Sequence, residues 1–591
     1  MGAARGVRCA LAGSAPAAGD AGPASPAEAV TRPATSGIGG WRAPLLLLAV
    51  YIGLAVLLLA RGLFGGRGSF PGSGTDPAIF MWDLEWVPFA LGHHLDPLVT
   101  TFIHYPSGAN LMWNTSIIFP ALLLAPVTVL LGPITSYDVL TVLAVGLSAW
   151  CGALAVRRYT ARWLPAAVGG LLYGFSPYMI SQALHHPHLD IAVYPPLVLI
   201  LGDEILVRRG RSPALLGVLL GAATAAQLLT GEEVLTLTGL MSGIVLAALL
   251  VIHRADLGPY LRRAREAALP AAASFILLAG FPLYVQFFGP QRVTDLGTVL
   301  DIYAARPQEL IQPSTLQLIA PFGHIGFLDS SVYIGVPLAV LSLATIIWLR
   351  RRAVARLAAV ILVSAVVLSL GGHLQMGGAQ LPLPWAVVDH LPFLEDALPI
   401  RVMLIGYLAL AMLVALFLDT ALQQSRVRWR LGAALVTVAA LIPLVPSLPF
   451  PASRFATPAF FTDGSAGRLS SPGSVLMTPY LGVEPLVWQA VSGMSFRTPL
   501  GLVFTPGPGG PHWSAPDDPL GTELEALGDG ARPVLSAALR QACLGDLDAD
   551  RVSSIVVGPS PGEAQLIRFI TALVGRPGLS VGGVVVWYGV T

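Results

Sequence analysis

Residues 75–116 read TDPAIFMWDLEWVPFALGHHLDPLVTTFIHYPSGANLMWNTS, placing Asp76, Asp83, Glu85, His93, His94, Asp96 and His104 among aromatic side chains. A carboxylate here can take the proton of an attacking hydroxyl held at ~3 Å. Asp76, Asp83 and Glu85 are the candidates for that base. Trp82, Trp86, Phe89, Tyr105 and Trp113 suit helices lying at a membrane surface, where amphipathic rings prefer to sit. The plainer alternative is an aromatic belt with solvated acids.

Two further clusters carry chemistry. The stretch HHPHLD holds His185, His186, His188 and Asp190. Imidazole and carboxylate at this density can bind a borderline divalent metal through His185, His188 and Asp190. The spacing is no recognised zinc signature, and a hydrogen-bonded polar loop is the alternative. Glu232 and Glu233 are adjacent at the rim of two apolar runs. Acids there face a water-filled cavity or snorkel to the headgroups. Arg292, Arg306 and Arg401 are scarce cations in outer segments, and a guanidinium can clasp a phosphate through two parallel hydrogen bonds. Glu395 and Asp396 are the local partners that would otherwise occupy Arg401.

These residues must be positioned by membrane helices. The chain of 591 residues is 54% apolar and 11% charged, against about 25% charged in a soluble domain. Apolar runs lie at 43–64, 137–156, 163–180, 190–207, 213–230, 232–252, 268–288, 331–349, 354–371, 399–418 and 431–447. Each approaches the length that crosses a ~30 Å bilayer core. A further run at 116–132 contains Pro120 and Pro126. Arginine clusters at 157–162, 208–211, 254–265, 350–356 and 426–430 mark cytoplasmic loops. All fall on one side only if 116–132 does not cross, so an interfacial helix is expected there. The expected topology is about eleven spans with the N-terminus inside. Outer loops then fall at 65–136, 289–330 and 372–398.

Residues 1–40 lack the apolar content to fold and read as a disordered cytoplasmic tail. Residues 41–449 form the membrane domain. From 450 to 591 the composition shifts to Gly, Pro and Asp, as expected of an extracytoplasmic domain. Strands are expected at Ser474–Met477, Ser553–Val557 and Gly583–Tyr588, with a helix at Glu563–Val574, giving a small α/β domain. Every basic residue is arginine, so no phosphate-loop or Schiff-base lysine exists, and transport driven by an ATPase of its own is not expected. Cys9, Cys151 and Cys543 are too scattered for a disulfide framework or a thiolate metal site.

One span, a long outer loop opening with Asp76, an interfacial segment, a Gly–Pro turn, a span and two arginines follow in order. The stretch FPALLLAPVTVLLGPITSYDVLTVLAVGLSAWCGALAVRRYTARWLPAAVGGLLYGFSP resembles the region after the catalytic loop in the GT-C class of membrane glycosyltransferases. The resemblance covers roughly residues 43–290. WDLEW, YPSGANL and LPIRVML are similar to a broad group of bacterial GT-C-like membrane proteins, and WQAVSGMSFR at 488–497 to their C-terminal domain. The resemblance implies a catalytic Asp in the first outer loop, by position Asp76. Pro77 stands where the class often has Glu, which leaves Asp83 and Glu85 as rivals. In oligosaccharyltransferases of the class, acids after the third span help bind a metal. His185–Asp190 occupies that position here.

The expectation is a mainly α, polytopic GT-C-like bundle with a small C-terminal α/β domain. It would be an inverting glycosyltransferase of the outer membrane face. Its donor would be a polyprenyl-phosphate-linked sugar, its acceptor a hydroxyl of a glycan, lipid or protein. Arg401, Arg292 and Arg306 would bind the donor phosphate, and Glu232 and Glu233 would line the cavity. No covalently bound cofactor and no nucleic acid partner are expected, while a divalent metal is left open. The alternatives are a lipid flippase or secondary transporter, or a non-catalytic assembly partner of the same fold. Transporters usually place polar groups and broken helices at the midplane, whereas the acids here cluster on one side.

Overall fold

The computed structural model describes residues 40–590 apart from 253–257, 294–302, 322, 326–331, 377–378, 392, 470–471, 508–509, 514–517, 529 and 533. The expected tail at 1–39 lies outside the described residues.

Among the described residues six helices are long and apolar enough to cross a membrane: Arg42–Leu63, Pro133–Arg157, Glu232–Val251, Gly258–Phe288, Pro399–Leu422 and Val427–Leu444. The other expected spans are shorter helices. The run 163–180 divides into Trp163–Gly174 and Pro177–Gln182, because Pro177 cannot continue the first helix and Ser176 caps the second. The run 190–207 becomes Tyr194–Asp203 continued by a wide π turn at Glu204–Arg208. Pro213–Leu228, Val336–Trp348 and Ala353–Ser369 also fall short. Ile118–Leu131 has 14 residues, a reach of ~21 Å at 1.5 Å each, which is too short to cross a ~30 Å core alone.

The bundle is organised around Met403–Leu422, which is buried along nearly its whole length, as its all-round apolar sequence requires. Pro213–Leu228 and Gly258–Phe288 lie almost in backbone contact. A Cβ on Gly217 would stand 2.2 Å from the Ala267 carbonyl, and one on Gly221 2.1 Å from that of Ala271. The spacing Gly217-x-x-x-Gly221 clears the groove for this approach.

Beyond residue 470 the chain forms a four-stranded sheet. Its order is Leu579–Val581, Val584–Tyr588, Val552–Val557, Ser474–Thr478. The last two strands are parallel and the others antiparallel. Ser474–Thr478 is buried throughout, since apolar clusters cover both faces of the sheet. Glu563–Val574 packs through Leu566, Phe569, Ile570 and Leu573, one face at helical spacing. The strands and helix expected here are all present.

This part of the chain is tied to the segment after the first long helix. Strand Ser69–Pro71 pairs antiparallel with Ala452–Arg454. Gln489, fully buried, accepts from Trp82 Nε1 at 2.6 Å and donates to the Phe102 and Phe496 carbonyls at 2.9 and 2.8 Å.

Candidate functional site around Asp76

Asp76 opens the helix Asp76–Gly92, where Pro77 suits the first turn and a carboxylate suits the positive end of the helix dipole. The preceding loop fixes its neighbours. Ser73 N–H donates to the Leu184 carbonyl at 2.9 Å. Gly72 has φ +106° and sits so close to that carbonyl that a Cβ would lie 2.0 Å from it. The backbone contact brings the His185–Asp190 turn against Asp76. His186 precedes Pro187, which disfavours helical geometry, and adopts φ −119°, ψ 69°. Its Nε2 then lies 3.1 Å from Asp76 Oδ2, and its Nδ1 lies 2.8 Å from Gln182 Oε1. Thr75 Oγ1 donates to Asp76 Oδ1 at 3.0 Å. Burial alone would push the Asp76 carboxyl up, but the hydrogen bond and charge of His186, with help from Thr75 and His185, bring it down to about 2. Asp76 is therefore ionised, and its side chain stays one-third exposed (33%), within reach of a substrate.

Further groups surround this pair. The His185 ring stands edge-on to His186 at 4.0 Å. His188 is buried between Phe80, whose ring lies at 5.2 Å, and Gly231. Burial and the surrounding cations hold it well below the usual imidazole range, and Arg401 is one of those cations. Asp190 is fully buried, and neither carboxylate oxygen is bonded to a donor among the described residues. Burial raises its carboxyl well above the usual range. Tyr137, also fully buried, feels the charges of both Asp190 and Asp76. Arg401 makes an ion pair with Glu233, whose second oxygen accepts from the Leu398 N–H at 2.9 Å. Glu232 accepts from Gln286 Nε2 at 2.8 Å, and the Gln286 carbonyl accepts from Trp113 Nε1 at 2.6 Å. The tandem glutamates thus diverge, one to the arginine and one toward the segment after the first long helix.

Neither a protein-family model nor a curated protein sequence matches the chain. Solved structures do. The arabinofuranosyltransferase AftD from Mycobacteria superposes over 93% of this chain with a TM-score of 0.53 at 16% identity. The chain spans 40% of the length of AftD. The oligosaccharyltransferase AglB from Archaeoglobus fulgidus, solved with an inhibitory peptide and a dolichol-phosphate, matches 87% of this chain and 69% of its own. Its TM-score is 0.49 at 10% identity. ArnT from Cupriavidus metallidurans bound to undecaprenyl phosphate matches 93% of this chain and 98% of its own, with a TM-score of 0.36 at 13% identity. The fold is that of the GT-C membrane glycosyltransferases. At these identities the likeness is one of fold.

Within this GT-C fold the expected residues separate. Asp76, the His185–Asp190 turn, Glu233 and Arg401 come together. Asp83 lies on the same helix but is 3% exposed; the Ile117 N–H bonds one side of its carboxyl, and Oδ2 has no protein partner. Burial raises this carboxyl well above the usual range. Glu85 is half-buried and pushed up to about 7 by burial. Arg292 is exposed, with Nη1 donating to the Phe287 carbonyl at 3.4 Å, and Arg306 is exposed and pairs with Glu309 at 3.9 Å. Among the described residues no three His, Cys, Asp or Glu side chains are grouped to hold a metal ion. Of the set His185, His188 and Asp190, the last two are buried, while His186 in the same turn lies against Asp76. Gln182 and Tyr137 were not singled out by the sequence. Gln182 follows from helical spacing, four residues before His186, but nothing in the sequence points to Tyr137.

Proposed function

We propose that the chain is an inverting glycosyltransferase that takes a sugar from a polyprenyl-phosphate carrier at the outer face of the membrane. One observation carries the reading: a partly exposed Asp76, bonded to His186, and the Arg401–Glu233 pair at the start of a long apolar helix both act on the buried His188 between them in the His185–Asp190 turn. The GT-C fold and the name of AftD as a sugar transferase support it. The acceptor oxygen attacks the anomeric carbon, and its proton passes to Asp76. The bond to His186 lowers the Asp76 carboxyl, so it is ready to accept a proton when the acceptor arrives. The bond from carbon to phosphate oxygen breaks on the opposite face, so configuration inverts. Arg401 stabilises the charge on the departing lipid phosphate. No step of this reading runs through a metal.

In the proposed topology the N-terminus is cytoplasmic and Ile118–Leu131 lies in the outer interface. The domain from about 450 onward is outside, where a glycan, lipid or protein acceptor would meet Asp76. The test is transfer from a panel of polyprenyl-phosphate sugars by the purified chain, beside Asp76→Asn. Transfer by the wild type that the variant loses supports the reading. Full activity of Asp76→Asn would remove Asp76 from the reaction.

A further inference from the structure

His186 has no part in the transfer step above, yet it is the side chain that grips the base. We propose that His186 is a positioning residue for Asp76: braced by Gln182, it fixes the rotamer in which the carboxylate presents its open edge to the acceptor. The inference rests on Asp76 being the base.

The geometry is a three-residue relay. Gln182 is 1% exposed and ends the short helix Pro177–Gln182. The His186 backbone N–H donates to the Gln182 carbonyl at 2.8 Å, so backbone and side chain of the two residues are clasped together. A terminal amide offers both a donor and an acceptor, and the two ends are interchanged by a half-turn. With the amide oxygen at Nδ1, Nε2 has a hydrogen for Asp76 Oδ2 only in the doubly protonated ring; with the amide nitrogen turned to Nδ1, the neutral ring presents it as well. The His185 ring at 4.0 Å and the His188 ring at 5.6 Å block the imidazole from swinging away.

Asp76 needs this support. It stands at the first position of its helix, and its side chain, one-third exposed, is less confined than a core side chain would be. Thr75 holds Oδ1 and His186 holds Oδ2. Each carboxylate oxygen has two acceptor directions, so one remains on each for a substrate proton. Two anchors on different oxygens define the plane of the group. One anchor would let it rotate, and misplacement by ~1 Å can cost ~10²-fold in rate.

The role is tested on full-length protein with His186→Ala and His186→Gln. The glutamine amide nitrogen sits near the place of Nε2, so it keeps a donor and drops the ring. Transfer by His186→Ala should fall ~10–100-fold in kcat, with the donor KM within about twofold, because the phosphate contacts are untouched. His186→Gln should recover part of the loss, and added imidazole should partly rescue His186→Ala. In the Asp76→Asn background, removal of His186 should cost nothing further, since the two act as a unit. An equal loss in both backgrounds, or a rise in KM alone, would overturn the proposal. A second readout needs no sugar transfer. In protein labelled with ¹⁵N-histidine, the His186 Nε2 resonance, assigned by its loss in His186→Gln, should move in Asp76→Asn. An unmoved resonance overturns the contact whatever the activity. A moved resonance together with full activity of Asp76→Asn keeps the contact and rejects Asp76 as the base.

Discussion

The helix Pro133–Arg157 joins two charged regions that are built in opposite ways. Just past its C-terminal end, Arg158 bonds Asp203 and Glu204 at 2.6 Å each, and Arg208 bonds the same Asp203 at 2.7 Å. Asp203 is 1% exposed there and sits between two guanidinium groups. Near its N-terminal end, Tyr137 lies by Asp190, whose oxygens have no donor among the described residues, and by Asp76, which is open to substrate. Charges that close on each other hold helices together. Charges left open or buried without a partner cost stability, and a fold keeps them where something must arrive. Both regions are rich in Asp, Glu, Arg or His in the sequence, so composition does not tell them apart. Partnership does.

The contrast predicts different losses at the two ends. Asp76→Asn should lower transfer by about 10²–10⁴-fold, the usual worth of a positioned base, while the melting temperature falls only by what the carboxylate's bonds to His186 and Thr75 contribute. Steady-state transfer and a thermal melt on the same preparation check both halves. A fall in melting temperature as large as that of Arg158→Ala, with transfer per folded molecule kept, would place Asp76 with the structural charges. At the C-terminal end of the helix Pro133–Arg157, Arg158→Ala leaves buried Asp203 and Glu204 short of a partner. Breaking such a pair costs ~3–5 kcal/mol when fully buried, and less here because Arg158 keeps 19% exposure. The protein that remains folded should transfer sugar at the wild-type rate per molecule. Reduced yield with normal specific activity is the expected result.

Arg401 belongs to both descriptions, since it is paired with Glu233 and stands at the site. Lysine keeps the charge but loses the planar fork. Arg401→Lys should therefore weaken donor-lipid binding ~10-fold, about the worth of one charge-assisted hydrogen bond. It should leave the melt nearly unchanged, while Arg401→Ala should lower both, because Glu233 loses its cation. Equal donor affinity in Arg401→Lys, Arg401→Ala and wild type would make the arginine purely structural.

Much of this was legible in the sequence. Periodicity located the C-terminal strands and the Glu563–Val574 helix, because alternation and helical spacing are local properties. Arginine placement singled out the 116–132 run, where the structure has the helix Ile118–Leu131. Three things were not legible. The breaks at Ser176–Pro177 and at Glu204 lie inside apolar runs, where hydropathy averages over them. The Glu233–Arg401 pair joins residues 168 apart in sequence, whereas the sequence offered Glu395 and Asp396 nearby. The HHPHLD turn read as a ligand set, but its members diverge: the backbone at the His186–Pro187 step turns one imidazole to Asp76 while His188 and Asp190 enter the core.

Asp83 sharpens the comparison most finely, because it shares a helix with Asp76 and lies seven residues on, nearly the same face. The two acids differ in surroundings alone. Asp76 is ionised by His186 and open, whereas Asp83 is enclosed among buried Trp82, Leu84 and Trp86, and burial keeps its proton on. A protonated carboxyl and a terminal amide have the same shape and can make the same bond to the Ile117 N–H. Asp83→Asn should therefore change transfer less than about twofold. Its effect on stability should depend on pH. Below about pH 4 the carboxyl holds its proton in both folded and unfolded chains, and the two proteins should melt alike. Above that, the unfolded wild-type chain releases the proton while the folded one retains it. Wild-type stability then falls relative to Asp83→Asn until the folded carboxyl also ionises. The variant should match the wild type at low pH and melt higher at neutral pH, as scanning fluorimetry from pH 4 to 8 would show. A large loss of transfer with an unchanged melt would move the base from Asp76 to Asp83.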